Sequence, residues 1–302
     1  MSDLGMTALG ATDLHVSRLG FGCSTIASLT TRHSAAEVRA TLLAAVDAGV
    51  NFFDTADVYG QGDSERLLGS LFAGRRERVV IATKAGMLLA HSQQAIRVAK
   101  PLLQPLLRRW SAGHERSARA RRASERQCFD PAYLRRRVEQ SLRRLRTDRL
   151  DLLLLHSPPL EVAQHEEVLT LLQRLRHNGT VREFGVSAAE LSHARQWAAW
   201  PGLTCLQLPL TPVPVAPGEQ PSLPAATLDL LADLSARGIG VIAREIFGGG
   251  LSATDHAARS GALRALLGAE GVSVALAGMG CRAHLRDNLS AFAEASLAGS
   301  RR

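Results

Sequence analysis

The sequence of 302 residues lacks most of what marks membrane, secreted or metal-ribbon proteins. It has no run of about 18 apolar residues, so no transmembrane helix is expected. Residues 1–10 lack the basic start and the apolar core of a signal peptide. The four cysteines are far apart and form no C-x-x-C pair, which argues against a disulfide framework or a zinc ribbon. These absences favour a cytoplasmic protein without a membrane partner. The cysteines are Cys23, Cys128, Cys205 and Cys281.

Lysine and tyrosine are also scarce. Of the 36 lysine and arginine residues only Lys84 and Lys100 are lysine, and the two tyrosines are Tyr59 and Tyr133. Where charge alone is needed, this sequence uses arginine. Lysine shares or loses a proton more readily than arginine, and only tyrosine carries a phenol. A lysine or tyrosine that remains is therefore a candidate for chemistry that arginine or phenylalanine cannot perform.

Most of the net charge of +8 lies in one segment. Residues 85–130 contain nine basic and three acidic residues, a net charge of +6. A nucleic-acid-binding protein needs a basic face on a folded element with groove-reading residues, which this segment does not provide. Two interpretations stay open: a solvated, partly disordered insertion, or a lid that attracts an anionic ligand. We expect no nucleic-acid partner.

Short apolar runs alternate with helical patterns along the whole chain. The apolar runs are continuous rather than alternating, which is typical of strands buried on both faces. The predicted strands are 19–23, 50–54, 78–84, 150–155, 181–187, 203–208, 240–244 and 273–277. The predicted helices are 34–49, 64–72, 130–145, 161–177, 190–199, 225–236, 262–267 and 282–295.

Eight strand–helix units predict the α/β class and a (β/α)₈ TIM barrel. We expect one domain over residues 1–302, with an N-terminal β-hairpin and a long basic insertion, 87–128, after the third barrel strand. A doubly wound open sheet is the alternative, and its phosphate motif G-x-G-x-x-G would follow the first strand. Gly20 and Gly22 begin that pattern, but Thr25 stands in the place of the third glycine. The barrel is therefore the favoured fold.

Polar side chains stand where three successive predicted strands end. Asp54, Lys84 and His156 follow the second, third and fourth strands, and Tyr59 lies in the loop beyond Asp54. Active sites of such barrels lie at the carboxyl ends of the strands. We expect the four side chains to meet there, with the lysine lowering the pKa of the phenol below its usual value of about 10. Each residue alone could be a cap, a loop anchor or a structural ion pair, but together they predict a tuned general acid at a carbonyl carbon.

Four segments, in this order, resemble motifs of the aldo-keto reductase family: residues 51–60, 79–84, 141–156 and 179–187. The resemblance runs from about Leu9 to Phe292. It implies a (β/α)₈ barrel that binds NADP(H) without a Rossmann domain and transfers hydride to or from a small carbonyl substrate. It also implies particular roles for the four polar residues: Tyr59 as proton donor, Lys84 and Asp54 as the groups that tune it, and His156 beside the substrate oxygen.

The same resemblance implies a set of cofactor-binding residues: Gly22, Ser187, Gln207, Arg244, Gly248, Gly250, Leu251, Met279, Arg282, His284, Asp287 and Asn288. Ser187 and Gln207 match the residues that hold the nicotinamide amide, and Arg244 stands where many members stack an aromatic ring. The glycines after the seventh strand resemble a pyrophosphate loop, and the last four residues match the adenosine end. NADP(H) is the expected cofactor, with NAD(H) open because His284 aligns with the arginine that usually grips the 2′-phosphate.

Two other functions remain open at this point. A barrel lyase could use Lys84 as a Schiff-base nucleophile. A non-catalytic NADP-binding regulator could use the same barrel, because fold does not fix function. The sequence does not define the substrate beyond a carbonyl, alcohol or imine, and it leaves a monomer or a weak homo-oligomer as the expected assembly.

Overall fold

The computed structural model describes residues 4–26, 33–88, 126–214, 219–248 and 255–299. Within these ranges a two-stranded antiparallel hairpin precedes a closed barrel of parallel strands. The hairpin strands are β1 (Met6–Ala8) and β2 (His15–Ser17). The barrel strands are β3 (Leu19–Gly22), β4 (Phe52–Asp54), β5 (Val80–Ala85), β6 (Leu150–His156), β7 (Val181–Ser187), β8 (Cys205–Pro209), β9 (Gly240–Arg244) and β10 (Val272–Gly278).

The predicted barrel is confirmed. Strands β3 to β10 pair in chain order, and β10 pairs with β3 to close the barrel, so the doubly wound open sheet is excluded. Every residue of β5 and β6 is buried, as expected for strands covered on both faces. One apolar cluster lies between the strands and the helices, and a second fills the barrel interior around Phe52, Leu152 and Ile242.

Helices alternate with the barrel strands in the described ranges. They are α1 (Ala35–Asp47), α2 (Asp63–Leu71), α3 (Pro131–Leu145), α4 (Glu166–His177), α5 (Ala194–Ala198), α6 (Ala225–Ala236), α7 (His256–Gly268) and α8 (Arg282–Gly299). None of the helices described is both long enough and apolar enough to cross a membrane.

Three helix predictions were wrong at their N-terminal ends. The helix expected at 190–199 starts with a 3₁₀ turn over Leu191–His193, and the α-helix begins only at Ala194. The helix expected at 262–267 begins six residues earlier, because Asp255 caps it by accepting a hydrogen bond from the N–H of Ala258 at 2.7 Å. The helix expected at 161–177 is divided at His165, whose backbone is extended, into a 3₁₀ turn over Leu160–Gln164 and helix α4. Apolar periodicity alone does not show where these helices begin.

The hairpin closes the amino-terminal end of the barrel. Leu9, Leu14 and Val16 are buried in the same apolar cluster as the barrel interior. Gly10, at φ +58°, lies so close to β9 that a Cβ there would be 2.3 Å from the backbone nitrogen of Gly240. Only glycine fits this contact, because any side chain would overlap backbone atoms. The carboxyl ends of the strands form the opposite mouth.

The two ends of the basic insertion lie at that mouth, directly after β5. Met87 pairs with Gln127 in an antiparallel bridge, and the N–H of Leu88 donates to the carbonyl of Arg126 at 2.8 Å. The rest of the insertion, 89–125, lies outside the described residues. Both interpretations of the insertion, as a solvated segment or as a lid, concern these residues. The four cysteines of the chain are free thiols.

Candidate active site

Three adjacent strands carry the predicted polar residues to one place. Asp54 and His156 are the last residues of β4 and β6, and Lys84 is the last but one of β5, which lies between them. Asp54, Lys84 and His156 are 5%, 1% and 8% exposed. Parallel strands end at one edge, so their final side chains meet there, as predicted.

Lys84 is the centre of the cluster. Its Nζ donates to both carboxylate oxygens of Asp54 at 2.7 Å, to the carbonyl of Thr55 at 3.0 Å and to the hydroxyl of Tyr59 at 3.3 Å. The ammonium also lies 4.9 Å from the centroid of the Tyr59 ring. An ammonium has three N–H donors, so the contacts to Asp54 and Thr55 hold it in place while it faces the phenol.

The loop after β4 is fixed on both sides, which positions Tyr59. The N–H of Asp57 donates to the carbonyl of Lys84 at 3.1 Å, and Arg137 of α3 donates through Nε to the buried Asp57 carboxylate at 2.5 Å. Burial, opposed by Arg137, raises the pKa of Asp57 to about 6. Gly60, at φ +57°, then turns the chain into α2. The Asp57–Arg137 pair was not among the predicted residues, and nothing in its sequence spacing indicates it.

His156 lies against the other side of the phenol. The two rings meet edge to face, with centroids 6.0 Å apart and an interplanar angle of 82°. The Nδ1 atom of His156 is buried and makes no hydrogen bond within the described residues. Beside it, Gln127 at the end of the insertion donates to the carbonyl of Ser157 at 2.7 Å. Tyr59 and His156 thus lie side by side at the mouth, and one imidazole nitrogen of His156 has no partner within the described residues.

The structure corrects the expected pKa of Tyr59. Burial raises the pKa of the phenol above its ordinary value of 10.0, Lys84 opposes this rise, and Asp54 adds to it. The opposing effect of Lys84 is present, but it is smaller than the loss of hydration that the phenolate would suffer. Tyr59 is therefore a neutral phenol at neutral pH, the form that donates a proton.

Lys84 stays charged in spite of its burial. Burial alone would lower the pKa of the ammonium, but Asp54 and Tyr59 together outweigh it, so the pKa of Lys84 is raised above 10.5. A positive charge is thus held next to the oxygen that becomes negative when Tyr59 gives up its proton.

We expect His156 to make the folded protein less stable in acid. Burial, with Lys84 and Arg244, lowers the pKa of His156 well below 6.5, so the unfolded chain binds a proton that the folded chain does not. The free energy of unfolding then falls as the pH drops below about 6.5, by up to about 1.4 kcal/mol per pH unit from this group. Urea unfolding of the wild type and His156→Gln between about pH 7 and pH 5 measures the difference in slope. Equal slopes for the two proteins would contradict it.

The predicted nicotinamide residues form a buried chain that ends on Asp54. Ser187 Oγ lies 2.7 Å from Gln207 Oε1, and Gln207 Nε2 donates to Asp54 Oδ1 at 2.7 Å. The backbone register brings them together, since Ser187 is paired with His156 on one side and with Gln207 on the other. Gly22 is in register with Asp54 and with Gly278, so it also lies at the mouth.

Arg244, the last residue of β9, links this strand to the loop after β7. Its Nη2 donates to the carbonyls of Ala188 at 2.7 Å and Ala189 at 3.2 Å, and its Nη1 pairs with Glu245. Glu245 has a left-handed backbone and was not predicted as part of the site. Gly248 follows, also with a positive φ, but Gly250 and Leu251 lie outside the described residues.

The predicted adenosine residues stand at the start of α8, which follows β10. Arg282 and His284 are exposed, and Asp287 is half-buried. Met279 is fully buried in the apolar cluster between the strands and the helices. Asn288 is buried, and its Nδ2 donates to the carbonyl of Gly278 at 3.3 Å. Its Oδ1 is buried and makes no hydrogen bond in the part of the chain that the structure describes. An unpaired buried acceptor is rare, and a ligand N–H would satisfy it.

The model of the aldo/keto reductase family matches residues 18–262. The chain belongs to the aldo/keto reductase family. An aldo-keto reductase structure from Pseudomonas aeruginosa shares its fold with a TM-score of 0.73 at 25% identity, covering 96% of each chain. The predicted fold and family are therefore confirmed for this reductase-family chain.

Two curated oxidoreductases are similar to the chain at 30–31% identity. An oxidoreductase of Bacillus subtilis (strain 168) is 31% identical over 182 residues, which are 60% of this chain and 47% of that protein. The D-threo-aldose 1-dehydrogenase of a Pseudomonas species is 30% identical over 269 residues, 84% of this chain and 73% of that protein. The chain thus spans about half the length of the first of these relatives.

Proposed function

We propose that the chain is an NADP(H)-dependent carbonyl oxidoreductase in which Tyr59 transfers the proton at the substrate oxygen. The observation that carries the proposal is the position of Lys84, whose ammonium joins the Asp54 carboxylate to the Tyr59 hydroxyl. A neutral phenol beside a charged ammonium is suited to donate a proton, and the phenolate that remains is stabilised by the positive charge.

Three residues have separate roles in the proposed proton transfer. Tyr59 gives its proton to the carbonyl oxygen, and Lys84 stabilises the phenolate that results. His156, whose pKa is lowered by burial and by Lys84 and Arg244, stays neutral and directs a substrate oxygen toward the phenol by a hydrogen bond. A charged imidazole there would offer a competing acid, which the lowered pKa prevents.

The residues present fit a nicotinamide cofactor. Asn288 offers an unpaired buried Oδ1 at the proposed adenine end, where an amino group would satisfy it. Ser187 and Gln207 would hold the carboxamide, with Arg244 above the ring, and the loop from Gly248 to Leu251 would hold the pyrophosphate. When bound, the cofactor supplies or accepts the hydride. NADP(H) is the proposed form, with NAD(H) tested beside it.

The geometry disfavours a Schiff-base lyase. A lysine nucleophile must be deprotonated, and such lysines have a lowered pKa. The pKa of Lys84 is raised, and its nitrogen is held by Asp54 and Thr55. The proposed substrate is a small carbonyl compound, and the similarity to an aldose dehydrogenase makes aldoses the first class to assay.

Titration of the protein with NADPH and NADH, followed by nicotinamide fluorescence, tests the proposal. We expect saturable binding of NADPH, tighter than that of NADH, and turnover with part of a panel of aldehydes, ketones and aldoses. Asn288→Ala should weaken NADPH binding, whereas Asn178→Ala, at the end of α4, should not. No fluorescence change with either cofactor would contradict the proposal; binding without any turnover would favour a regulator.

A further inference from the structure

Three side chains with metal-binding atoms meet outside the cluster around Lys84. His33 precedes α1, and Cys281 and His284 stand at the start of α8. A ring nitrogen of each histidine and the sulfur of Cys281 lie within 4.8 Å of one another. The two imidazoles meet edge to face, with centroids 6.1 Å apart. We propose that these three residues form a binding site for a zinc-like transition-metal ion.

The spacing is close to that of a tetrahedral site. Zinc bonds of about 2.0–2.1 Å to nitrogen and about 2.3 Å to sulfur place neighbouring ligand atoms roughly 3.3–3.8 Å apart. The three ligand atoms lie at most 4.8 Å from one another, so any two of them must come closer by at most about 1.5 Å to bind one ion. His284 is exposed and the His33 side chain is 27% exposed, so side-chain rotation can supply this closure and an ion can enter from solvent.

A carboxylate behind His33 orients its ring. Glu37 Oε1 lies 3.2 Å from His33 Nδ1, and the Glu37 backbone is fixed in the first turn of α1, where its N–H donates to Ser34 Oγ at 3.1 Å. Histidines that bind metal commonly pair their other nitrogen with a carboxylate, which sets the tautomer and the ring direction. An ordinary surface pair would explain this contact, but not the approach of a thiol and a second imidazole.

The opposite edge of the His33 ring faces the loop that carries Cys281. A Cβ on Gly280 would lie 3.3 Å from His33 Cδ2 and 3.7 Å from Nε2. Glycine at this position therefore lets the Nε2 edge approach the loop closely. With Nδ1 on Glu37, we assign Nε2 as the nitrogen that would bind the ion.

The ligand types define the metal class. One thiolate and two imidazoles suit Zn²⁺ and its substitute Co²⁺, whereas Mg²⁺ and Ca²⁺ require oxygen ligands. Three protein ligands leave a fourth position for water. The site does not depend on the proposed function, because its ligands are separate from the residues proposed for proton transfer. Those residues are Asp54, Tyr59, Lys84 and His156. His284 is also one of the residues proposed at the adenosine end, so binding is measured without cofactor.

Titration of the metal-free protein with CoCl₂, followed by absorption, tests the site. We expect a thiolate-to-cobalt charge-transfer band in the near ultraviolet and the intense visible bands of four-coordinate Co²⁺. Both should saturate at one equivalent and disappear when Zn²⁺ is added. Cys281→Ser should remove the charge-transfer band, His33→Ala and His284→Ala should each remove saturable binding, and Glu37→Gln should weaken the Kd for Co²⁺ by about 10-fold or more.

Matched variants elsewhere in the chain complete the design. Cys128→Ser and His256→Ala replace another free thiol and an exposed histidine, and both should keep the wild-type spectrum. If Cys281→Ser does not fold, as judged by circular dichroism, His284→Ala carries the test because its side chain is exposed. Absence of the charge-transfer band in the wild type, or its loss in Cys128→Ser but not in Cys281→Ser, would overturn the proposal. A failure of NADPH binding would leave the cobalt result unchanged.

Discussion

Replacing Tyr59 with phenylalanine should lower kcat for carbonyl reduction by about 10²–10⁴-fold and leave the Kd for NADPH nearly unchanged. The phenol is the proposed acid, and phenylalanine keeps the ring that packs against His156 but has no proton to give. The proposed cofactor-binding residues are different ones, so we expect the loss in the chemical step rather than in NADPH binding. Steady-state kinetics with the best carbonyl substrate and a fluorescence titration measure the two quantities.

The second tyrosine of the chain gives a matched control. Tyr133 in α3 donates its hydroxyl to the carbonyl of Met87 at 2.8 Å, at the base of the insertion. Tyr133→Phe removes a phenol and one hydrogen bond but no group of the proposed proton path, so kcat should stay within a few-fold of the wild type. A deuterium isotope effect from the cofactor shows whether chemistry limits kcat. If Tyr59→Phe kept the wild-type kcat while chemistry was limiting, the assignment of Tyr59 would be wrong.

The barrel and the meeting of Asp54, Lys84 and His156 could be predicted because they depend on local pattern and on one topological rule. A continuous apolar run indicates a strand buried on both faces, and parallel strands in a barrel end at one mouth. The residue at the end of each apolar run can therefore be assigned to the mouth of the barrel before any side-chain contact is known. The scarcity of lysine and tyrosine then separated Lys84 and Tyr59 from the many arginines and phenylalanines.

Other features of the site could not be predicted, because they depend on burial and on contacts between segments that are far apart in the sequence. The pKa of Tyr59 was expected to fall, because the nearby cation was evident and the depth of burial was not. The hydrogen bond from Gln207 to Asp54 joins residues 153 positions apart, and it exists only once the barrel has closed. The approach of His33 to Cys281 is of the same kind, because no short-range spacing motif connects them.

Removing the charge of Lys84 should have the largest effect on stability. The Lys84–Asp54 pair is buried, so Lys84→Met leaves the carboxylate with the amide of Gln207 but without its cation. Breaking a buried pair from one side costs about 3–5 kcal/mol, because an uncompensated charge remains. Asp54→Asn should be damaging for the same reason, since it leaves the ammonium unbalanced. Urea unfolding measures both losses.

The double variant Asp54→Asn with Lys84→Met separates the structural role of the pair from its catalytic role. Two neutral side chains leave no buried charge, so most of the lost free energy of unfolding should return. Turnover should stay low, because no cation remains to stabilise the Tyr59 phenolate. Arg195→Met, which breaks a surface pair with Asp233 at 3.2 Å, serves as the control and should cost about 1 kcal/mol or less. A double variant that regained wild-type turnover would show that Lys84 only compensates a buried carboxylate, and the proposed tuning of Tyr59 would then fail.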